Sequence, residues 1–198
     1  MQQNPLIMHV KRLADIIFSM SALLLLWPLF LLIALILWLD TGSPIFFLQE
    51  RIGQGGHPFR IIKFRTMKVD AESQGPQLSF PEDKRQTRVG SVLRRYRLDE
   101  LPQFINILKG DMSLVGPRPE RSYFIGQISQ RTPDYQTLLQ MRPGLTSWGQ
   151  VRFGYASTIE QIVERMQYDL YYVRNFSISF DIKIILHTIR IVFSGKGV

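Results

Sequence analysis

The feature that most constrains this 198-residue chain is an uncharged apolar run over residues 16–39. As a helix it would be about 36 Å long at about 1.5 Å per residue, enough to cross a hydrocarbon core of about 30 Å. The run is too long for the apolar part of a signal peptide, and no small-x-small cleavage site follows it. It is also too long and too uniformly apolar for a buried core helix. We therefore expect residues 1–40 to form an N-terminal membrane helix.

The charged residues around the run do not fit a single crossing. Lys11 and Arg12 precede it, and residues 1–40 hold two basic and two acidic residues, so the whole net charge of +8 falls in residues 41–198. Basic flanks favour the cytoplasmic side, and one crossing cannot place both flanks there. Pro28 removes a backbone hydrogen bond and can bend the helix back towards the face it entered. A plain spanning helix with a tolerated proline is the alternative.

Composition narrows the chemistry of residues 41–198. A basic domain attached to an apolar segment favours an acidic partner, which can be anionic membrane lipid, a phosphorylated substrate or nucleic acid. The chain has no cysteine, so disulfides and thiolate chemistry are excluded. Its three histidines are far apart in sequence and show no metal-ligand spacing.

Periodicity and turn residues predict a mainly helical α/β domain with one short β-hairpin. The predicted strands are 45–52 and 59–64, and the polar stretch 69–86, with its glycine and prolines, is typical of a mobile loop. A proline-stiffened loop is predicted at 113–120. Helices are predicted at 89–96, at 100–109 with Gly110 as its stop, at 157–174 from a Ser157-x-x-Glu160 capping box, and at 180–193.

The last predicted helix is amphipathic. One face holds three basic or titratable side chains, which are Lys183, His187 and Arg190. Most of the aliphatic side chains of the helix lie on its other faces. Such a helix either lies in the membrane interface with its basic stripe towards lipid phosphates, or packs on the domain with a solvated basic face.

The acidic pair Asp99-Glu100 is the main candidate for chemistry. Acids at a helix N-terminus can act only as caps that offset the helix dipole. Here, however, the pair is surrounded in sequence by arginines, which are Arg94, Arg95, Arg97 and Arg118. These neighbours predict low pKa values for both carboxylates, so that Asp99 stays ionised and nucleophilic.

The same pair also predicts a metal. Two adjacent carboxylates, Asp99 and Glu100, offer hard oxygen ligands for Mg²⁺, which bridges carboxylate and diphosphate. Arg118 lies between Pro117 and Pro119, and an arginine held in this way is a rigid donor fork for a phosphate. A nucleophile, a metal and a guanidinium together indicate a phosphoryl-transfer site.

Longer motifs around these residues resemble the monotopic phosphoglycosyl transferases, the bacterial sugar transferase family that begins many polysaccharide and glycoprotein pathways. The resemblance covers nearly the whole chain, and its short pieces are specific in their order and spacing. They include Lys11-Arg12-x-x-Asp15, Lys63-Phe64-Arg65-Thr66-Met67, Leu98-Asp99-Glu100-Leu101-Pro102-Gln103, Gly116-Pro117-Arg118-Pro119 and Arg142-Pro143-Gly144-Leu145-Thr146.

The resemblance implies a two-step transfer of sugar 1-phosphate from a UDP-sugar to polyprenyl (undecaprenyl) phosphate, with release of UMP. Asp99 would form a covalent phosphosugar-aspartyl intermediate, and Glu100 would hold Mg²⁺ against the diphosphate. Arg118 would bind phosphate. Lys63 and Arg94 match other basic positions of the family's site, and Arg65, from the same motif as Lys63, is expected to bind substrate with them.

The resemblance also implies a topology. Residues 1–40 would be a re-entrant membrane helix, and residues 41–198 a catalytic domain with amphipathic interfacial helices. The domain would lie on the cytoplasmic face of the bacterial inner membrane, where it would contact anionic lipids and would not bind nucleic acid. The enzyme would act in exopolysaccharide or lipopolysaccharide biosynthesis. Trp27 stands where the family usually has a serine before the bending proline. The transferred sugar, the glycan pathway and any homo-oligomer stay open.

The sequence after Gln150, Val151-Arg152-Phe153-Gly154-Tyr155, differs from the Asn-Gly-Arg of many small members. It is closer to the larger members, which have extra N-terminal domains. The chain is therefore expected to be either a short form or the catalytic part of a longer protein.

Two functions from other classes explain part of the sequence. A membrane-tethered, non-enzymatic module would bind nucleic acid or lipid through its basic face, but gives no role to Asp99 and Glu100. A lipid-phosphate hydrolase would use the same acids with water as the acceptor. Release of UMP from a UDP-sugar, measured with and without polyprenyl phosphate, distinguishes all three.

Overall fold

The computed structural model describes residues 5–73, 75–80 and 82–195. It has a mainly helical architecture with a long apolar N-terminal helix and a short two-stranded hairpin, as predicted. The helices are α1 Pro5–Thr41, α2 Arg88–Arg95, α3 Gln103–Lys109, α4 Ser122–Arg131, α5 Tyr135–Leu138, α6 Trp148–Arg152, α7 Ile159–Arg174 and α8 Ile178–Phe193. The strands are β1 Phe46–Ile52, β2 Pro58–Phe64, β3 Ser113–Val115 and β4 Gly144–Thr146.

Helix α1 leaves most of its apolar surface uncovered. By length and composition it could cross a membrane, and only 11% of its most apolar 18-residue window is buried. Leu24, Leu25 and Leu31 are among its exposed side chains. A core helix of a soluble domain would be mostly buried, so the contacts of α1 within the described chain do not account for its apolar composition.

Both ends of α1 are bonded to the rest of the domain. Near its start, Nζ of Lys11 lies 2.5 Å from Oδ2 of Asp181 on α8. At its end, Nη2 of Arg65 donates to the carbonyl oxygen of Thr41 at 3.1 Å. Between these points, apolar side chains of α1 pack against two small cores that involve β2, α2 and α3. One domain therefore contacts α1 along most of its length.

The β1–β2 hairpin brings its second strand against α2. The strands pair antiparallel from Phe46 opposite Phe64 to Ile52 opposite Pro58, which confirms both predicted strands. At Gly90 on α2, an added Cβ would lie 2.1 Å from the carbonyl oxygen of Thr66. Only glycine permits this approach, so the sequence allows α2 to pack directly on the chain that leaves β2.

The chain around the acidic pair differs from the predicted helix at 100–109. Residues Leu98–Glu100 form a separate 3-10 turn, and α3 begins only at Gln103. Pro102 has no N–H to donate to Leu98, so a regular α-helical pattern cannot run through it. The predicted stop is confirmed, because Gly110 ends α3 with a φ of 95°.

The predicted capping box of α7 is displaced by one residue. Thr158, not Ser157, is the N-cap, and its hydroxyl accepts from the backbone N–H of Gln161. The Gln161 side chain in turn accepts from the N–H of Ser157 at 2.7 Å. The threonine and glutamine fill the roles predicted for Ser157 and Glu160, because either pair of side chains can satisfy the first free N–H groups.

Two further predicted helices are confirmed, and one predicted loop is partly wrong. Helices α2 and α8 match the predicted segments 89–96 and 180–193 within two residues, whereas part of the predicted loop 113–120 is strand β3. Strand β3 pairs in parallel with β4, which the sequence did not predict. An isolated antiparallel β-bridge between Met67 and Gln86 joins the two ends of the predicted 69–86 loop. Within that loop, Gln74 and Pro81 lie outside the described residues.

Candidate active site

A cavity of about 520 Å³ opens between the hairpin, the 3-10 turn and the loops that follow β3 and α6. Among the described residues, its lining holds nine basic and four acidic side chains, an excess of positive charge that suits a diphosphate. The cavity brings together all six site residues predicted from the sequence, which are Lys63, Arg65, Arg94, Asp99, Glu100 and Arg118.

Glu100 is the paired member of the acidic pair. Its Oε1 accepts a 2.6 Å hydrogen bond from Nζ of Lys63 and lies 3.7 Å from Nη2 of Arg118. Burial alone would raise the pKa of Glu100, but the charges of Lys63 and Arg118 outweigh it and hold that pKa well below its ordinary value. Glu100 is therefore a fixed, ionised carboxylate.

Asp99 is in a different state although it is adjacent. It is 6% exposed, and no side chain in the described part of the chain donates a hydrogen bond to it. Burial raises the pKa of Asp99, the charge of Lys63 opposes this, and the charge of Glu100 adds to it. The predicted low pKa is therefore correct for Glu100 and wrong for Asp99, because two adjacent buried carboxylates cannot both ionise at low cost.

Arg97 shapes the turn that holds the pair. Its backbone is left-handed, with a φ of 53°, which costs a residue other than glycine about 1–2 kcal/mol. Burial lowers the pKa of its guanidinium, whose charge acts on Glu100. A conformation of this cost persists only where surrounding contacts impose it, so the 3-10 turn is fixed by its packing.

Asp169 holds the backbone of Arg118. This carboxylate on α7 is 2% exposed, and its Oδ2 accepts from the N–H of Arg118 at 3.3 Å. Its Oδ1 accepts from the N–H of Gly149 at 2.7 Å. One buried side chain thus fixes both the loop that presents Arg118 and the start of α6.

Arg94 and Arg65 border the cavity in different ways. Nη2 of Arg94 donates to the hydroxyl of Tyr155 at 2.8 Å, and both side chains line the cavity. Arg65 is 5% exposed, and its Nη2 is bonded to Thr41 and Gly42 at the end of α1. Its Nε and Nη1 have no partner among the described residues. Arg65 therefore joins the cavity to the end of the apolar helix.

Arg51 also lines the cavity, although no sequence motif predicted it. Its Nη1 donates to the carbonyl of Pro119 at 3.0 Å and lies 3.7 Å from Glu120. Burial lowers the pKa of its guanidinium to about 10. It supports the far side of the Pro117-Arg118-Pro119 loop. An arginine within a strand gives no sequence signal for this role, because the contact depends on how the hairpin packs.

The acidic pair supplies only part of a metal site. Among the described residues, no three His, Cys, Asp or Glu side chains are grouped as metal ligands. Asp99, however, presents oxygens that receive no hydrogen bond from a described side chain, beside the second carboxylate. This set of ligands fits a Mg²⁺ ion that receives its other oxygens from a bound diphosphate or water.

The sequence matches the model of the bacterial sugar transferase family over residues 6–195, and the chain belongs to that family. It is 43% identical over 194 residues to the Aeromonas hydrophila UDP-N-acetylgalactosamine-undecaprenyl-phosphate N-acetylgalactosaminephosphotransferase, covering 98% of this chain and 46% of the relative. It is 41% identical over 190 residues to the Escherichia coli K12 UDP-glucose:undecaprenyl-phosphate glucose-1-phosphate transferase, covering 95% and 41%.

A third relative has a similar length. The exopolysaccharide production protein PSS of Rhizobium leguminosarum bv. phaseoli is 40% identical over 198 residues, covering 95% of this chain and 98% of the relative. The chain thus spans less than half the length of the first two relatives and matches nearly the whole of the third.

Proposed function

We propose that this chain transfers sugar 1-phosphate from a UDP-sugar to undecaprenyl phosphate and releases UMP. The main support is the division of roles in the acidic pair, where Asp99 has no hydrogen-bond donor among the described side chains and Glu100 is held by Lys63 and Arg118 in a basic cavity. Two relatives are named for transfers of this kind, and a third for exopolysaccharide production.

The reaction proceeds in two displacements at one phosphorus. A carboxylate oxygen of Asp99 attacks the sugar-bearing phosphorus, the bond from that phosphorus to the bridging oxygen breaks, and the electron pair leaves with UMP. A phosphate oxygen of undecaprenyl phosphate then attacks the same phosphorus. The bond to Asp99 breaks, its electron pair returns to the carboxylate, and undecaprenyl-diphosphate-sugar is released.

The environments of the two acids support Asp99 rather than Glu100 as the nucleophile. Glu100 is engaged by two cations, which stabilise its charge and make it a poorer nucleophile. No described side chain donates to the oxygens of Asp99, and once ionised its buried carboxylate is poorly solvated. Lys63, Arg94 and Arg118 oppose the charge of the diphosphate and of the departing phosphate.

Mg²⁺ is the cofactor that fits this pair. Asp99 and Glu100 would hold it beside the diphosphate. When bound, the ion would offset negative charge that the cationic side chains leave uncompensated.

The contacts of α1 support re-entry rather than crossing. From Lys11 to Thr41 a helix would extend about 45 Å, yet both residues contact the same domain. A straight crossing helix would separate these residues by the bilayer. We therefore propose that residues 1–40 re-enter, with the bend at Pro28, and that residues 41–198 form a catalytic domain on the cytoplasmic face of the inner membrane beside anionic lipids.

The test is UMP release by the full chain in lipid nanodiscs, starting with UDP-N-acetylgalactosamine and UDP-glucose. Without undecaprenyl phosphate we expect a burst of at most one UMP per enzyme, and with it continuous turnover. Continuous turnover without the acceptor would indicate a hydrolase. Absence of UMP release with every UDP-sugar tested would favour a non-enzymatic module.

A further inference from the structure

A second groove, of about 760 Å³, lies between α6, α7 and α8. Its walls include the aromatic residues Trp148, Tyr171 and Phe180 and the cations Arg152 and Lys183. None of its described lining residues also lines the cavity around Asp99 and Glu100. The groove is therefore separate from the candidate active site, and the chemistry of its walls indicates which kind of ligand fits it.

Two cations face the same indole ring in this groove. Cζ of Arg152 lies 5.2 Å, and Nζ of Lys183 lies 5.5 Å, from the ring centroid of Trp148. In the described part of the chain, no carboxylate pairs with either cation. The ring stabilises each charge, but the two charges repel each other. An anion bound in the groove near both cations would reduce this repulsion.

The groove lies beside the polar end of α1. The Phe180 ring is 5.1 Å from the Trp148 ring, and the next residue, Asp181, forms the ion pair with Lys11. Lys11 precedes the uncharged run that begins at residue 16. If that run enters a bilayer, as proposed above, the groove lies at the depth of the lipid headgroups.

Helix α8 adds an apolar surface next to the cations. Its exposed side chains recur at spacings of four, three and four residues and so share one face: Ile182, Leu186, Ile189 and Phe193. Lys183 follows the first of them directly. A free phosphate would use only the cations, whereas a phospholipid would use the cations for its headgroup and this face for its acyl chains.

We propose that this groove binds the headgroup of an anionic phospholipid, with the acyl chains along α8. The proposal rests on the membrane association inferred for α1, and it assigns Arg152 and Lys183 a role apart from the transfer reaction. The site would fix how the catalytic domain sits on the membrane surface.

Fluorescence of Trp148 tests the site directly. The chain has three tryptophans, so Trp27→Phe with Trp38→Phe leaves Trp148 alone. The full chain is placed in phosphatidylcholine nanodiscs that contain brominated phosphatidylglycerol or, separately, brominated phosphatidylcholine over the same series of mole fractions. We expect half-maximal quenching at an about 30-fold lower fraction of the anionic lipid, which corresponds to about 1 kcal/mol for each of two cations.

Matched charge variants make the result specific. Arg152→Gln with Lys183→Gln should abolish the preference for phosphatidylglycerol, whereas Lys84→Gln with Lys109→Gln, which removes the same charge outside both cavities, should retain it. Neither double variant should change UMP release measured with detergent-solubilised acceptor.

The other outcomes would overturn the proposal. Equal quenching by both lipids would indicate general interfacial contact. Competition by glycerol phosphate would indicate a site for free phosphates, and lost UMP release in the groove variant would make it part of the active site. Failure of the full chain to enter any nanodisc would instead refute the membrane association itself.

Discussion

Nζ of Lys63 lies 2.6 Å from Oε1 of Glu100, so strand β2 fixes one member of the acidic pair to the hairpin. Asp99, one residue earlier, has no such contact among the described residues and faces the cavity. The same surroundings therefore stabilise the negative charge of Glu100 and disfavour that of Asp99. This difference leads to opposite expectations for the two neutral replacements.

Glu100→Gln should destabilise the fold at neutral pH by about 3 kcal/mol, because it leaves Lys63 and Arg118 without their buried counter-charge. The pKa of Glu100 is lowered from 4.5 in the folded protein, so its contribution is present above that value and is lost as the pH falls. Denaturant titrations of wild type and variant across this range should therefore converge at acidic pH. A constant difference between them at every pH would contradict the assignment.

Asp99→Asn should have the opposite effect on stability and should abolish activity. The pKa of Asp99 is raised from 3.8, so its ionisation costs folding free energy as the pH rises through the folded value, and the amide avoids this cost. The amide is a poor nucleophile, so turnover should fall by about 10⁴-fold, with no UMP burst. Near-normal turnover in this variant, with loss in Glu100→Gln, would reverse the two roles.

Chelation should stop the reaction. With EDTA present, the two carboxylates and the diphosphate repel one another, and we expect UMP release to fall to background and to return with excess Mg²⁺. The same titration followed by protein stability should show that Mg²⁺ stabilises wild type and not the double variant Asp99→Asn with Glu100→Gln. Full activity in excess chelator would remove the metal from the mechanism.

The sequence predicted elements that depend on local patterns and missed those that depend on packing. The hairpin and α8 follow from strand and helix periodicity, and the six candidate site residues, which line one cavity, follow from motifs. The parallel pairing of β3 with β4 joins segments about thirty residues apart, which no local pattern specifies. The raised pKa of Asp99 was missed for the same reason, since neighbouring arginines are visible in the sequence and burial is not.

Asp169 is the clearest example of a residue whose role depends on packing and not on a local sequence pattern. It is expected to act through Arg118, so Asp169→Ala should lower kcat/KM for the UDP-sugar by about tenfold or more as the Arg118 loop loses its backbone acceptor. If the effect passes through Arg118, adding Asp169→Ala to Arg118→Ala should cause little further loss. Additive losses in this double-mutant cycle would mean that Asp169 has only a general structural role.

The topology of α1 can be tested because the chain has no cysteine of its own. Single cysteines are placed at positions 2 and 197, one before and one after the described residues in sequence. If α1 re-enters, an impermeant maleimide should label neither position in intact cells and both after permeabilisation. Lys11 and the basic domain would then face the same anionic leaflet, which is electrostatically favourable.

Pro28→Ala restores a backbone hydrogen bond within the helix and should shift part of the population towards a straight, crossing form in which position 2 is labelled. Labelling of position 2 but not 197 in the wild-type helix would show that α1 crosses, and the ion pair between Lys11 and Asp181 could not then exist in the membrane.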